Sequence, residues 1–288
     1  MPSWSPVIRI PVGGWQKSAG PMRALSRKAT TQSAASDMPA LPPARWLTDL
    51  RSRVGKIIMF GCSTAQVSEL AVVARALANE WRQLTAGSEG YLTGQRRGLE
   101  GQKVVWGEMD SFGHVNNVVY ARYAESSRVN WINHFALHVD PARSEQWRGL
   151  MQADTVGLIM KSFTIEFKFP MTYPDSISVY HRLRSSPEQD PGITSLLLDC
   201  MILSHSQKRI AARLYEDVSF YDYRIPGKTQ MPEFARVILT DLWRQQQQEM
   251  VRARSRIWEL VAMVERLEKQ TWDRIDAVED NGCATAQL

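Results

Sequence analysis

The sequence predicts an α+β fold in which a strand leads into one long helix, and that helix is followed by four consecutive strands. Three observations carry this expectation. Phe163, Ile165, Phe167 and Phe169 alternate along one face of an extended run. Val118, Tyr120 or Ala121, Ala124, Val129, Ile132 and Phe135 recur at the three- and four-residue steps of a long, largely buried helix. Turn-forming residues at 173–175, 187–192 and 204–207 break the second half of the chain into pieces of strand length.

Residues 1–36 contain Arg9, Lys17, Arg23, Arg27 and Lys28, many hydroxyl side chains, and no Asp or Glu before Asp37. A basic, acid-free amino terminus has the character of a mitochondrial transit peptide; an ordinary tail is the competing reading, since Pro2, Pro6 and Pro11 interrupt an import helix. The matrix is accordingly expected ahead of the cytoplasm. "MPALPPARW" marks a boundary, with order expected from Ala44.

Ser63 then stands as a cap with Gln66 three residues on. Val67, Leu70, Ala74, Leu77, Trp81 and Leu84 form an apolar stripe that needs a covering surface. The stretch "GSEGYLTGQRRGLEG" fits no phosphate-binding loop, and its pair Arg96 and Arg97 reads as solvated. "QKVVWGEM" reads as the first strand. After the helix, strands are expected in "GLIMKSFTIEFKFPM", "DSISVYHRLRS", "ITSLLLDCMILSHS" and "RIAARLYEDVSFYDY". Beyond Pro232 the chain turns helical to about Val278, as a coiled-coil arm or a helix lying on the domain. The expected organisation is a tail over 1–43, a helical extension with a Gly-rich loop over 44–100, the α+β domain over 101–226, and a helix with its tail over 227–288.

Composition narrows the function. With 288 residues, 44% hydrophobic and 23% charged, the chain is globular in character. No apolar run reaches the roughly 18 residues that span a bilayer. The net charge of +5 is spread along the chain rather than clustered, so no nucleic-acid partner is implied. Cys62, Cys200 and Cys283 show neither a disulfide framework nor metal-ligand spacing, and Cys200 reads as a small apolar residue within a strand.

The chemistry concentrates in "WGEMDSFGHVNNVVYARYAESSR", residues 106–128. If the first strand runs on through this stretch, Val104, Trp106, Glu108 and Asp110 share one face and Asp110 is the last of them. Gly113 then allows the turn into the helix, whose first N–H groups are unpaired and carry the positive end of its dipole. A carboxylate facing such donors is half of an acyl-transfer site. The donors polarise a thioester carbonyl, while the acid attacks the carbon or draws a proton from water.

The pattern W-G-x-x-D-x-x-G-H-V-N-N-x-x-Y-x-x-Y-x-E, carried by Trp106, Gly107, Asp110, Gly113, His114, Val115, Asn116, Asn117, Tyr120, Tyr123 and Glu125, resembles the signature of hot-dog-fold acyl thioesterases of the 4-hydroxybenzoyl-CoA thioesterase-like group. The resemblance implies an antiparallel sheet wrapped around one long central helix. It implies hydrolysis of an acyl-CoA or acyl-carrier-protein thioester by a homo-oligomer, a dimer or tetramer, with no cofactor and no metal. The segment before residue 101 is similar to an extension found in fungal, often mitochondrial, members.

Carried over by position, Asp110 is the nucleophile or general base, and His114 and Asn116 orient the loop or the water. The backbone around Gly113 and Val115 polarises the thioester, with Asn117 and Tyr120 at the substrate. Two departures mark this chain. Asn117 stands where several bacterial relatives carry Tyr or His, and Phe112 stands where plant acyl-carrier-protein thioesterases carry Asn.

Each residue has a structural rival. Asp110 can cap the helix, His114 can hold the loop by hydrogen bonding, Glu108 can be solvated or cap the strand, and Glu125 can be a buried partner of Arg128. His134 and His138 lack a third ligand and read as structural. For the whole chain, the alternative to an enzyme is a non-catalytic hot-dog scaffold or assembly factor of a mitochondrial complex, motivated by the helical additions. A dehydratase on the same fold ranks below both.

Overall fold

The computed structural model describes residues 38–190 and 192–274. The expectations for the basic amino terminus, Cys283 and the carboxy-terminal tail lie outside those residues. Three helices come first: α1 over Trp46–Phe60, α2 over Thr64–Asn79 and α3 over Trp81–Gly87. Strand β1 (Gly98–Val104) leads to the central helix α4 (Asn117–His134), which ends in a π-helical turn over Phe135–Val139. After the short α5 (Ser144–Gly149) come β2 (Val156–Phe167), β3 (Asp175–Leu183), β4 (Ser195–Ser204) and β5 (Arg209–Asp222). The two-residue β6 (Gly227–Lys228) precedes α6, a helix of 38 residues over Glu233–Gln270.

The strands form one antiparallel sheet in the order β1-β3-β4-β5-β2, with β6 paired to β5. This is the hot-dog arrangement, strand then helix then four strands, with the sheet wrapped about α4. Its two faces are read directly from the alternation of side chains. Val179 of β3 and Cys200 and Ile202 of β4 pack with Tyr120, Tyr123 and Ala124 of α4. Their neighbours Tyr180, Met201 and Leu203 point the other way, into a second core built from α1, α2, α3 and α6. The strands are therefore covered on both sides, which is why "SLLLDCMIL" is almost continuously apolar.

The helical additions are part of that second core. Ser63 caps α2 in a reciprocal box with Gln66, as its spacing predicts. The stripe from Val67 to Leu84 breaks at Glu80 into two helices rather than one, and Val67 is exposed. On α6, Ala253, Ile257, Leu260, Val264 and Leu267 are fully buried against α1–α3. Each large side chain there stabilises the packing by about 2 kcal/mol. Thus α6 lies on the domain and is not a free coiled-coil arm. Gly87 marks how closely α3 and α6 approach, since a Cβ there would stand 3.0 Å from that of Ala253.

On α4 the buried face is Val119, Tyr120, Tyr123, Ala124, Ser127, Trp131 and Ile132. Val118 and Val129, expected inside, are exposed. The helix is covered by the sheet along one side only, so its other side keeps apolar residues at the surface.

Candidate active site

Strand β1 ends at Val104, earlier than its apolar pattern suggests, and residues 106–108 form a single 3-10 turn. Val104, Trp106, Glu108 and Asp110 therefore do not share one strand face. Glu108 is the cause. Its Oε2 accepts the Val105 N–H at 2.9 Å, folding the chain back, and the carboxylate enters the protein to receive Arg122 Nη2 at 2.6 Å and the Tyr123 hydroxyl. Only 7% exposed, Glu108 is not solvated; by accepting the Val105 N–H one residue past β1 it caps the strand end, and it adds the contacts to α4. It ties the approach of the loop to the first turns of α4.

From there the chain closes a tight loop. Met109 bridges to Val115, the Asp110 N–H donates to the His114 carbonyl at 2.8 Å, and the Gly113 N–H donates to the Asp110 carbonyl at 3.0 Å. Gly113 has φ +73°, a backbone conformation that side chains disfavour. The Asp110 carboxylate sits across the loop: Oδ1 accepts the Phe112 N–H at 2.8 Å and the His114 N–H at 3.3 Å. Among the described residues Oδ2 accepts nothing. Asp110 does not cap α4, because that position belongs to Asn116, whose Oδ1 takes the Val118 N–H at 3.1 Å.

The amides sort by what they already bind. Those of Gly113 and His114 donate within the loop, that of Val115 donates to the Met171 carbonyl at 2.9 Å, and that of Asn116 donates to the Glu108 carbonyl at 2.9 Å. The backbone from Gly113 to Val115 thus has no N–H left for a substrate, contrary to its expected role. Within residues 113–117 the amide without an acceptor among the described residues is that of Asn117, first residue of α4 at the positive end of its dipole.

The remaining predicted residues divide between surface and core. Gly113 and Asn117 are exposed, and Asp110, His114 and Asn116 are half-buried. Val115 and Tyr120 are each 2% exposed, beneath the loop. The Tyr120 hydroxyl accepts the Met171 N–H at 3.2 Å. Burial raises its phenol pKa, and the nearby Asp110 carboxylate raises it further. The His114 imidazole makes no hydrogen bond among the described residues. Around the loop, Trp106, Phe112 and Val118 form an exposed apolar collar.

Below Val118 a cleft of about 460 Å³ follows the open side of α4, between Ala121, Arg122 and Glu125 of the helix and Met160, Phe163 and Leu214 of the sheet. Glu125 faces this cleft and is exposed, not the buried partner of Arg128. Arg128 instead binds Glu216 of β5 at 2.7 Å, where His181 Nε2 also approaches Glu216 Oε2 at 3.3 Å. Burial pushes the Glu216 carboxyl up, but His181 and Arg128 outweigh it and hold the group below the usual range. His181 Nδ1 lies 3.1 Å from the hydroxyl of Ser127, which donates to the Val179 carbonyl at 2.9 Å. Ser127 is fully buried and therefore positions the network rather than attacking a substrate. These four residues come from α4, β3 and β5, so no local pattern announces them.

A carboxylate oxygen and a helix-opening amide without partners among the described residues thus lie seven residues apart on the segment that opens α4, among exposed apolar side chains. Residues 104–240 match the model of the Thioesterase-like superfamily. The match includes the loop, the central helix, strands β2 to β6 and the first turns of α6, and begins at the last residue of β1. No curated protein sequence matches the chain.

The solved structures similar to it include three that illustrate the range. One is a thioesterase from Thermus thermophilus complexed with coenzyme A and zinc, at 19% identity over 52% of this chain and 98% of that one, with a TM-score of 0.39. A second is a predicted thioesterase from Bacillus stearothermophilus, at 18% identity over 49% and 92%, with a TM-score of 0.38. The third is a hypothetical protein from Staphylococcus aureus in complex with CoA, at 12% identity over 51% and 84%, with a TM-score of 0.42. Among the described residues no group of His, Cys, Asp or Glu is arranged to hold a metal ion, and no helix is long and apolar enough to cross a membrane.

Proposed function

We propose that the protein hydrolyses acyl thioesters of coenzyme A or of an acyl carrier protein, with Asp110 as the reacting acid. One observation carries the reading. Asp110 is clamped through Oδ1 by two loop amides while Oδ2 stays free, on the loop that delivers the chain to the unpaired Asn117 N–H.

In this mechanism the Asn117 N–H donates to the thioester carbonyl oxygen and to the oxyanion that develops on it. The Asp110 carboxylate adds to the carbonyl carbon, or takes a proton from a water that adds instead. The carbon–sulfur bond then breaks: on the general-base route the leaving thiolate takes the proton that Asp110 removed from water, which restores the carboxylate, and on the nucleophilic route the thiolate leaves and is protonated by solvent. On the nucleophilic route, a second step hydrolyses the acyl–aspartyl anhydride and restores the carboxylate. His114 and Asn116 act through the loop. Asn116 starts the helix whose first amide does the polarising, and His114 supplies the N–H and the carbonyl that hold Asp110. The acyl group lies along the cleft below Val118, against Phe163 and Leu214.

The working unit in this proposal is a homo-oligomer. Strand β2 forms one edge of the sheet, is 12 residues long and leaves Phe163 and Phe167 exposed, a surface suited to a second copy of the chain. The basic, acid-free residues 1–36 support a mitochondrial matrix location. The scaffold alternative rests on the helical additions, the basic balance and the glutamine-rich carboxy-terminal helix; packing of the apolar side of α6 against α1–α3 leaves only the polar side of that helix for a partner.

The test is release of thiol from a panel of acyl-CoAs and acyl carrier proteins, followed with a thiol reagent, for the wild-type chain and Asp110→Asn. Turnover that disappears in the variant supports the proposal. Equal turnover in both overturns the role of Asp110.

A further inference from the structure

A second cavity, of about 750 Å³, opens at the far end of α4. Asn117 and Asn133 stand on the same helix about 24 Å apart along its axis, at 1.5 Å per residue. This cavity is therefore separate from the Asp110 loop, and the inference drawn from it does not rest on the thioesterase reading.

Its walls carry cations without anionic partners. Arg96 and Arg148 both line it, and among the described residues neither guanidinium makes a hydrogen bond or an ion pair. Asn133 and His138 line it as well, and their side chains likewise make no hydrogen bonds there. The carboxylate in the lining, Glu100, accepts the Gly94 N–H and the Tyr180 hydroxyl, both at 2.9 Å and both on Oε1. Two guanidiniums thus stand against one carboxylate in the walls.

The backbone is irregular on both sides of the cavity. Gln95 and Arg96 have φ of +54° and +61°, a left-handed pair without glycine, and the strain is held by a specific lock. His134 Nδ1 donates to the Gln95 carbonyl at 2.9 Å while its Nε2 accepts Arg97 Nε at 3.1 Å. Arg97, expected as a solvated loop residue, is half-buried there as part of the lock. On the other side, the π-helical turn over Phe135–Val139 sets Leu137 and His138 against the cavity. A widened turn of this kind interrupts the regular hydrogen-bond ladder and recurs at functional sites.

We infer that this cavity binds a phosphate ester or pyrophosphate, with the Arg96 and Arg148 guanidiniums as paired donors to its oxygens and Asn133 as a neutral donor beside them. Guanidinium is the planar, forked donor that matches phosphate oxygens two at a time. The negative end of α4 would repel an anion here, so the two free cations carry the binding.

The test is calorimetric titration of the full chain with inorganic pyrophosphate and with adenosine 3′,5′-bisphosphate at low ionic strength. Three proteins are compared: the wild type, the Arg96→Ala/Arg148→Ala double variant and Asp110→Asn. Both arginines are exposed, and a thermal melt checks that their removal leaves the fold intact. The wild type and Asp110→Asn bind alike, and the double variant binds at least about tenfold more weakly. Asn133→Asp, which adds a negative charge, weakens binding as well. No heat of binding in the wild type, or equal affinity in the double variant, overturns the site.

Hydrolysis assays then identify the source of the phosphate. A KM raised for acyl-CoA but not for an acyl-N-acetylcysteamine thioester assigns it to the substrate's own nucleotide. Unchanged KM for both, with pyrophosphate binding lost, assigns it to a separate ligand.

Discussion

Asp110 and His114 hold each other across the loop through the backbone: the Asp110 N–H donates to the His114 carbonyl at 2.8 Å, and Asp110 Oδ1 accepts the His114 N–H at 3.3 Å. The first bond does not need the carboxylate charge. Asp110→Asn keeps an acceptor oxygen for the second, so the loop survives while the free anionic oxygen is lost. Thiol release should fall by about two to four orders of magnitude at unchanged melting temperature. His114→Ala, which leaves both backbone bonds in place, should cost less than about tenfold in the same assay.

Glu108 predicts a stability effect rather than a chemical one. Its buried carboxylate receives Val105, Arg122 and Tyr123 at once. Glu108→Ala strands the Tyr123 hydroxyl and frees the turn that opens the loop, a loss of about 2 kcal/mol that urea denaturation would register. The Arg122 guanidinium is 61% exposed and reverts to water, which keeps the loss from being larger.

Asn116 is the cap of α4 and should behave as one. Asn116→Ala leaves the Val118 N–H without its acceptor and lowers stability by about 1 kcal/mol, whereas Asn116→Asp or Asn116→Ser restores most of it. If the amide of Asn117 polarises substrate, the alanine variant should also lower kcat, since the first turn that aims that amide is loosened.

The lock at His134 makes stability depend on pH. Burial, with Arg97 beside it, lowers the pKa of His134 in the folded chain below the ordinary value of 6.5. The unfolded chain then binds the proton more tightly, so the contribution of His134 is fully present above about pH 6.5 and is lost as pH falls through the lowered value. His205, whose pKa is also lowered chiefly by burial, titrates in the same direction. Chemical denaturation from pH 7.5 to 5 should show this decline, and it should be shallower in His134→Asn. An equal slope in the two proteins would remove His134 as its source.

Leu260→Ala tests whether α6 belongs to the core. Leu260 is fully buried between α6 and the amino-terminal helices, and its truncation should cost about 3 kcal/mol in a single cooperative transition. Deleting the chain after Met231 should unfold the protein rather than merely change its assembly, which size-exclusion chromatography with circular dichroism distinguishes.

The local sequence settled strands β2 to β5, the span of the central helix and the place of the loop. Alternation in "FTIEF" fixes which side chains share a face of β2, Ser63 with Gln66 fixes the start of α2, and Gly113 fixes the place of the turn, because each depends on residues a few positions apart. What the sequence did not settle depends on partners distant in the chain. Glu108 bends the backbone out of β1 only because Arg122 and Tyr123 await its carboxylate. Only the hydrogen bonds of the folded loop show that Gly113 to Val115 have no spare amide and that Asn117 has one.

The network of Ser127, Arg128, His181 and Glu216, the placement of α6 on the domain, and the meeting of Arg96 with Arg148 are likewise products of packing. Hydrophobic periodicity says which face of an element is buried and cannot say against what. The partner is chosen when the apolar faces of α4, the sheet and the outer helices compete to leave water together.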